Sequence, residues 1–152
     1  MKTCIPIEFI ELEKHSYHLV VKASINEHEI RMVLDTGASR SCFDINYLFQ
    51  MGILPSDNQT EIKSSGLGGN ISESSIVLLN NFQIGEFRML NYKAVSLDLS
   101  TVNQAYESVN IDSVHAILGS DVLHFFRAVI RYDQSCLILK TRRPDIFNIK
   151  FR

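Results

Sequence analysis

Val33-Leu34-Asp35-Thr36-Gly37-Ala38-Ser39 constrains this chain more than any other stretch. A β-rich apolar run ends abruptly in one carboxylate, then a hydroxyl, a glycine and two small residues. Such an order suits an acid displayed at the tip of a buried strand, with dry walls around it. Gly37 lets another backbone approach closely. Taken alone, Asp-Thr-Gly also suits an ordinary strand-end turn.

The remaining pattern is mostly strand. His18 to Ile25 is β-rich, Asn26-Glu27-His28 makes a polar turn, and Glu29 to Leu34 returns to deliver Asp35. Phe43, Tyr47, Leu48 and Met51 recur at roughly helical spacing, so one short helix is expected over Ser41 to Met51, stopped by Gly52. Ile62 to Ile71, with Gly66-Leu67-Gly68-Gly69 at its centre, reads as a long hairpin with a flexible tip. Strands follow at Ile76–Leu79, Phe82–Ile84 and Met89–Leu97, then a polar loop with a little helix from Asp98 to Asp112. Ala116-Ile117-Leu118-Gly119 is a buried run closed by glycine, and Ser120 or Asp121 is the expected cap of a short helix through Phe126. Ala128–Asp133 and Ser135–Lys140 form a terminal hairpin. Beyond Pro144, Phe147, Ile149 and Phe151 alternate with polar residues as a last strand. The fold class is therefore all-β, mainly β with two short helices.

Composition excludes several functions. With 45% apolar residues the 152-residue chain fills one core, read as one domain over 1–152. Its formal net charge of −2 argues against a nucleic-acid partner, which needs a clustered basic excess. The basic residues Lys140, Arg142, Arg143, Lys150 and Arg152 read as a solvated tail. No run reaches membrane-spanning length, so no membrane partner is expected. Cys4, Cys42 and Cys136 are odd in number and lack CxxC spacing, which offers neither a disulfide framework nor a metal site. With no apolar leader, the chain reads as cytoplasmic and reduced; a chain whose leader had been removed would read the same. The five histidines lie in different contexts and read as solvated or core residues. Cys42 with His115 or His124 is a weaker nucleophile–base reading than burial of Cys42 as a small apolar residue.

Asp35-Thr36-Gly37-Ala38-Ser39, the tip Gly66-Leu67-Gly68-Gly69, and Ile117-Leu118-Gly119-Ser120-Asp121 resemble, in that order, the three signatures of retropepsin-like aspartic proteases. The likeness covers about residues 16–140 and leans to the cellular and bacterial members, because the loops are longer than in the viral enzymes. It implies a closed β-barrel of the acid protease fold. Asp35 would be the catalytic aspartate, Thr36 would bond across the dyad to its symmetry mate, and Gly37 would offer its carbonyl to the substrate backbone. Gly66, Leu67, Gly68 and Gly69 would be the flap over a bound peptide; Ile117, Leu118 and Gly119 would pack behind the Asp35 loop. Peptide hydrolysis of this kind takes one ionised and one protonated carboxyl, about 3 Å apart and sharing a proton. Since the chain has one Asp-Thr-Gly, the second carboxyl implies a homodimer, with no cofactor. The alternative is a non-catalytic domain that dimerises or binds peptide.

Two departures from the viral pattern stand out. Ser39 and Ser120 occupy positions where an acid and an arginine often pair; the adjacent Arg40 and Asp121 are candidates for a replacement. The N-terminal Ile5, Ile7 and Phe9 and the stripe Phe147/Ile149/Phe151 are candidate dimer strands. Ala38 carries a further expectation. A hydroxyl there would donate to the carboxylate and favour its charged form, whereas alanine cannot. A working pH milder than in enzymes with that hydroxyl is expected, and a pH–rate profile peaking below about pH 3 would contradict it.

Overall fold

The computed structural model describes residues 1–56 and 74–147. The expected hairpin tip at Gly66–Gly69 and the residues Ile149 and Phe151 lie outside these.

Strands β1 (Lys2–Pro6), β2 (Glu8–Glu13), β3 (Ser16–Ile25) and β4 (His28–Leu34) open the chain. After the Asp35 loop come β5 (Cys42–Asp44) and helix α1 (Ile45–Gln50). Next are β6 (Ser75–Ile84), β7 (Phe87–Leu97), α2 (Ser100–Glu107), β8 (Ala116–Leu118) and α3 (Ser120–Phe125). The chain continues through β9 (Val129–Arg131), β10 (Cys136–Lys140) and β11 (Asp145–Phe147). The path β7-β5-β8-β4-β3 is closed by β6, which pairs with both β3 and β7, so six strands form a closed barrel. The retropepsin-like barrel expected from the sequence is the fold observed.

Period-2 patterning explains the core. Ile30, Met32 and Leu34 on β4 face inward with Leu19, Val21, Ala23 and Ile25 on β3, and join Phe82, Phe87, Met89 and Leu118 in the main cluster. Arg31 and Val33 face the other side, where Val33 joins a smaller cluster of Ile10, Val20, Tyr106 and Val114. Sheet β1-β10-β9 packs beside the barrel and supplies Ile5, Leu137 and Leu139 to the main core. Ile5 and Ile7, read as candidates for an intersubunit strand, are only 4% and 6% exposed, so their side chains are used within the protomer.

Several sequence expectations are corrected. Ser41 to Asp44 are not helical. Cys42, Phe43 and Asp44 form β5, parallel to β7 and antiparallel to β8. Phe43 is fully buried and meets the Phe82 ring edge-on at 5.2 Å, which favours the ladder over local periodicity. The helix begins only at Ile45, capped by Asp44 and stopped at Gly52 with φ +77°. Ile76–Leu79 and Phe82–Ile84 lie on one continuous strand. The little helix expected in the polar stretch after Asp98 is present as α2, and its Tyr106 is buried. Neither Ser120 nor Asp121 caps α3; Gly119 occupies the N-cap without a side-chain bond.

The reading of three unpaired cysteines is also overturned: Cys4 and Cys136 form a disulfide, with Cα atoms 6.1 Å apart. The pairing is invisible locally, because 132 residues separate them and only the β1–β10 register, Pro6 opposite Cys136, brings them together. Reduction is expected to lower unfolding free energy by about 2–4 kcal/mol. Urea unfolding with and without dithiothreitol measures the loss. A count of three free thiols in the denatured, unreduced protein would remove its basis.

Candidate active site

Asp35 sits where β4 ends, and its N–H still donates to the Leu118 carbonyl at 3.0 Å, continuing the parallel β4–β8 ladder by one bond. The chain then turns. Ala38 N–H donates to the Asp35 carbonyl at 3.2 Å, and Gly37 N–H donates to Asp35 Oδ1 at 2.9 Å. Asp35 is half-buried, while Thr36 and Gly37 are exposed. The acid is thus fixed at its backbone and open at its head.

Behind it, residues 38–41 are laced to residues 119–121. Ser120 N–H donates to the Ala38 carbonyl at 2.8 Å, and Ser120 Oγ donates to the Ser39 carbonyl at 3.3 Å. Gly119 N–H donates to Ser41 Oγ at 2.8 Å. Ser41 in turn gives its N–H (2.8 Å) and its hydroxyl (2.7 Å) to Asp121 Oδ1, which also accepts from Val122 N–H. A Cβ on Gly119 would stand 2.6 Å from the Arg40 carbonyl carbon, so the two segments touch backbone to backbone.

Of the expected residues behind the loop, Leu118 and Gly119 do contact it. Ile117 lies one step away, opposite Val33 on one side and Cys42 on the other. The candidate Arg40–Asp121 pair does not form: Arg40 is exposed, and Asp121 reaches Ser41 instead. Sequence reasoning missed Ser41, whose signal was faint: a hydroxyl entering an apolar strand. Ser41→Ala would leave the buried Gly119 N–H unpaired and Asp121 short of a donor. A loss of about 2 kcal/mol in urea unfolding is expected.

Cys42 is 4% exposed on β5, not on a helix. Burial, then the charge of Asp121, push its thiol up to about 12, which removes it as a nucleophile near neutrality. His115 accepts the Arg31 N–H at Nδ1, 3.0 Å away, and its ring packs against Tyr47; burial and then Arg31 hold its pKa below the ordinary value. Beside Thr36 a groove of about 380 Å³ opens between α3 and β9, lined by Leu123, His124, Arg127, Ala128 and Ile130. No helix among the described residues is long and apolar enough to cross a membrane.

Comparison with known proteins bears on the family and the fold. The profile of the aspartyl protease family matches residues 21–122, which span the Asp35 loop and the first residues of α3. No curated protein matches the chain. Among solved structures, a retropepsin-like aspartic protease from Rickettsia conorii aligns with a TM-score of 0.56 at 19% identity, covering 91% of this chain and 89% of that one. The retroviral protease-like domain of Ddi1 from Leishmania major aligns with a TM-score of 0.51 at 14% identity, covering 80% and 87%. At these identities the likeness is one of fold.

Proposed function

The chain belongs to the aspartyl protease family, and from that premise we propose that it is a homodimeric aspartic endopeptidase with one Asp35 from each protomer in the catalytic dyad. The observation that carries this reading is a half-site: a single carboxylate, held rigidly from behind and open in front, on a loop whose next two residues face solvent. One such acid supplies one proton-transfer group, and the reaction uses two.

In the dimer, Asp35 of one copy is ionised and takes a proton from a water molecule. Asp35 of the other copy is protonated and donates to the peptide carbonyl oxygen. The water oxygen bonds to the carbonyl carbon to give a neutral gem-diol. The first Asp35 then gives the proton it took to the amide nitrogen and the C–N bond breaks, while the second Asp35 takes a proton from one diol hydroxyl as the product carboxyl forms, which restores the single shared proton. No covalent intermediate with the protein arises. Thr36 is exposed beside the acid, where it is free to bond across the two-fold axis. The peptide lies as an added strand against the loops, held by its main chain and selected by apolar pockets.

Cleavage of a mixed peptide library, followed as specific activity against protein concentration and paired with sedimentation, tests the reading. Activity rising with the dimer fraction is expected. A strictly monomeric protein that still cuts through Asp35 would overturn the dyad, and a peptide-binding dimer that cuts nothing would favour the non-catalytic alternative.

A further inference from the structure

The face of the sheet that carries Asp35 holds a second polar pair. On β3 and β4, Val20 lies opposite Val33, and both pack in the small cluster with Tyr106 of α2. The paired register ends at Val20–Val33; continued two residues beyond, past the end of β4 at Leu34, it leads from Asp35 toward His18. The Asp35 charge reaches the Tyr106 phenol to which His18 is bonded. Side chains two apart on a strand share a face, so His18 follows Val20 and Asp35 follows Val33.

His18 is not a loose surface imidazole. Its Nδ1 lies 2.6 Å from the Tyr106 hydroxyl, and the rings meet edge to face at 5.7 Å. Tyr106 is 2% exposed, whereas His18 is exposed. Among the described residues, His18 is the hydroxyl's hydrogen-bond partner. A buried phenol that donates to Nδ1 sets the tautomer with the proton on Nε2, and that N–H points away from the contact toward solvent. The charges of Arg31 and Asp35 both act on the Tyr106 phenol, and burial is the main cause of its raised pKa. Arg31 is itself engaged with Glu8 at 2.8 Å.

We propose that His18, fixed by Tyr106, is a specificity-determining residue whose Nε2–H selects a carboxylate or carboxamide side chain on the bound peptide next to the cleaved bond. The proposal rests on Asp35 being the centre of the peptide site. A substrate strand running past Asp35 places one of its side chains over the neighbouring strand, where the imidazole is a preset donor. A donor held this way discriminates against side chains that leave it unpaired.

The test is a peptide series with Asp, Glu, Asn, Gln or Ala varied at each position around one scissile bond. Rates are read with the wild type, and binding of fluorescent peptides is read with Asp35→Asn. His18→Ala is expected to lose about tenfold selectivity for the acceptor-bearing peptides at one position, the scale of one hydrogen bond to a charged group, with Ala peptides unaffected. His18→Gln, which keeps a donor, should restore part of it, and Tyr106→Phe should show a smaller loss in the same direction. The Asp and Glu arms against the Asn and Gln arms separate charge from hydrogen bonding. Unchanged selectivity in His18→Ala, or an equal loss on every peptide, overturns the proposal. If Asp35→Asn binds peptides while the wild type cuts none, the hydrolytic reading fails and the binding series still decides the role of His18. Failure to bind any peptide overturns both.

Discussion

Asp35→Asn is expected to lower peptide cleavage by about 10³-fold or more, the scale of losing a positioned general acid–base group. The fold should survive, because an asparagine offers the same Oδ1 to the Gly37 N–H that now donates to it at 2.9 Å. A thermal melt close to wild type would show that chemistry, rather than structure, was removed. Mixing adds a sharper readout. If each site takes one acid from each copy, wild-type chains that pair with Asp35→Asn chains are withdrawn into hybrids with one carboxylate. Activity of the mixture should then fall below that of the same amount of wild type alone. Activity that is indifferent to added Asp35→Asn, in a protein shown to exchange subunits, would sink the shared site.

Gly119→Ala is the second large effect, and it acts through packing. The new Cβ would lie 2.6 Å from the Arg40 carbonyl carbon, 2.8 Å from the Arg40 carbonyl oxygen and 2.9 Å from the Ala38 carbonyl oxygen. These are backbone atoms, and the bonds from Ser120 N–H to Ala38 and from Gly119 N–H to Ser41 hold the segments at that separation. Neither side has a flexible tip that can yield. A loss of about 3 kcal/mol or more in urea unfolding is expected. The loop that carries Asp35 should shift with it, so activity should fall even where the protein stays folded. Full stability and activity in Gly119→Ala would show that the two segments are looser than their contacts indicate.

The two variants separate the parts of the candidate site that were readable in sequence from those that were not. Asp35-Thr36-Gly37 and Ile117-Leu118-Gly119 were legible because a carboxylate or a glycine ending an apolar strand is a local pattern, and their order along the chain is written in the sequence. Ser41 and Asp121 were not, because their bond depends on where two distant turns meet. The candidate Arg40–Asp121 pair is absent for the same reason: proximity in sequence to the right positions pointed to the exposed arginine rather than the buried serine. His18 read as one solvated histidine among five. Only the arrival of Tyr106 from α2, whose hydroxyl lies 2.6 Å from its Nδ1, marks it out from the others.

The fold divides in a similar way. Period-2 alternation in β3 and β4 and the stop at Gly52 were set by the sequence alone, since side-chain direction and glycine backbone freedom act within a few residues. The helix expected over Ser41 to Met51 began late because burial of Phe43 against Phe82 outweighed a periodicity compatible with either element. The Cys4–Cys136 bond spans 132 residues and follows from the register of β1 on β10, which no local spacing encodes. By itself, then, the sequence determined that this protein is a strand-built chain with one acid at a strand end and the glycines that let backbones close around it, because those choices rest on short-range sterics and patterning. The tertiary structure alone decided which hydroxyls, thiols and rings meet that acid's supports, because contacts between distant segments are set by how the whole barrel closes.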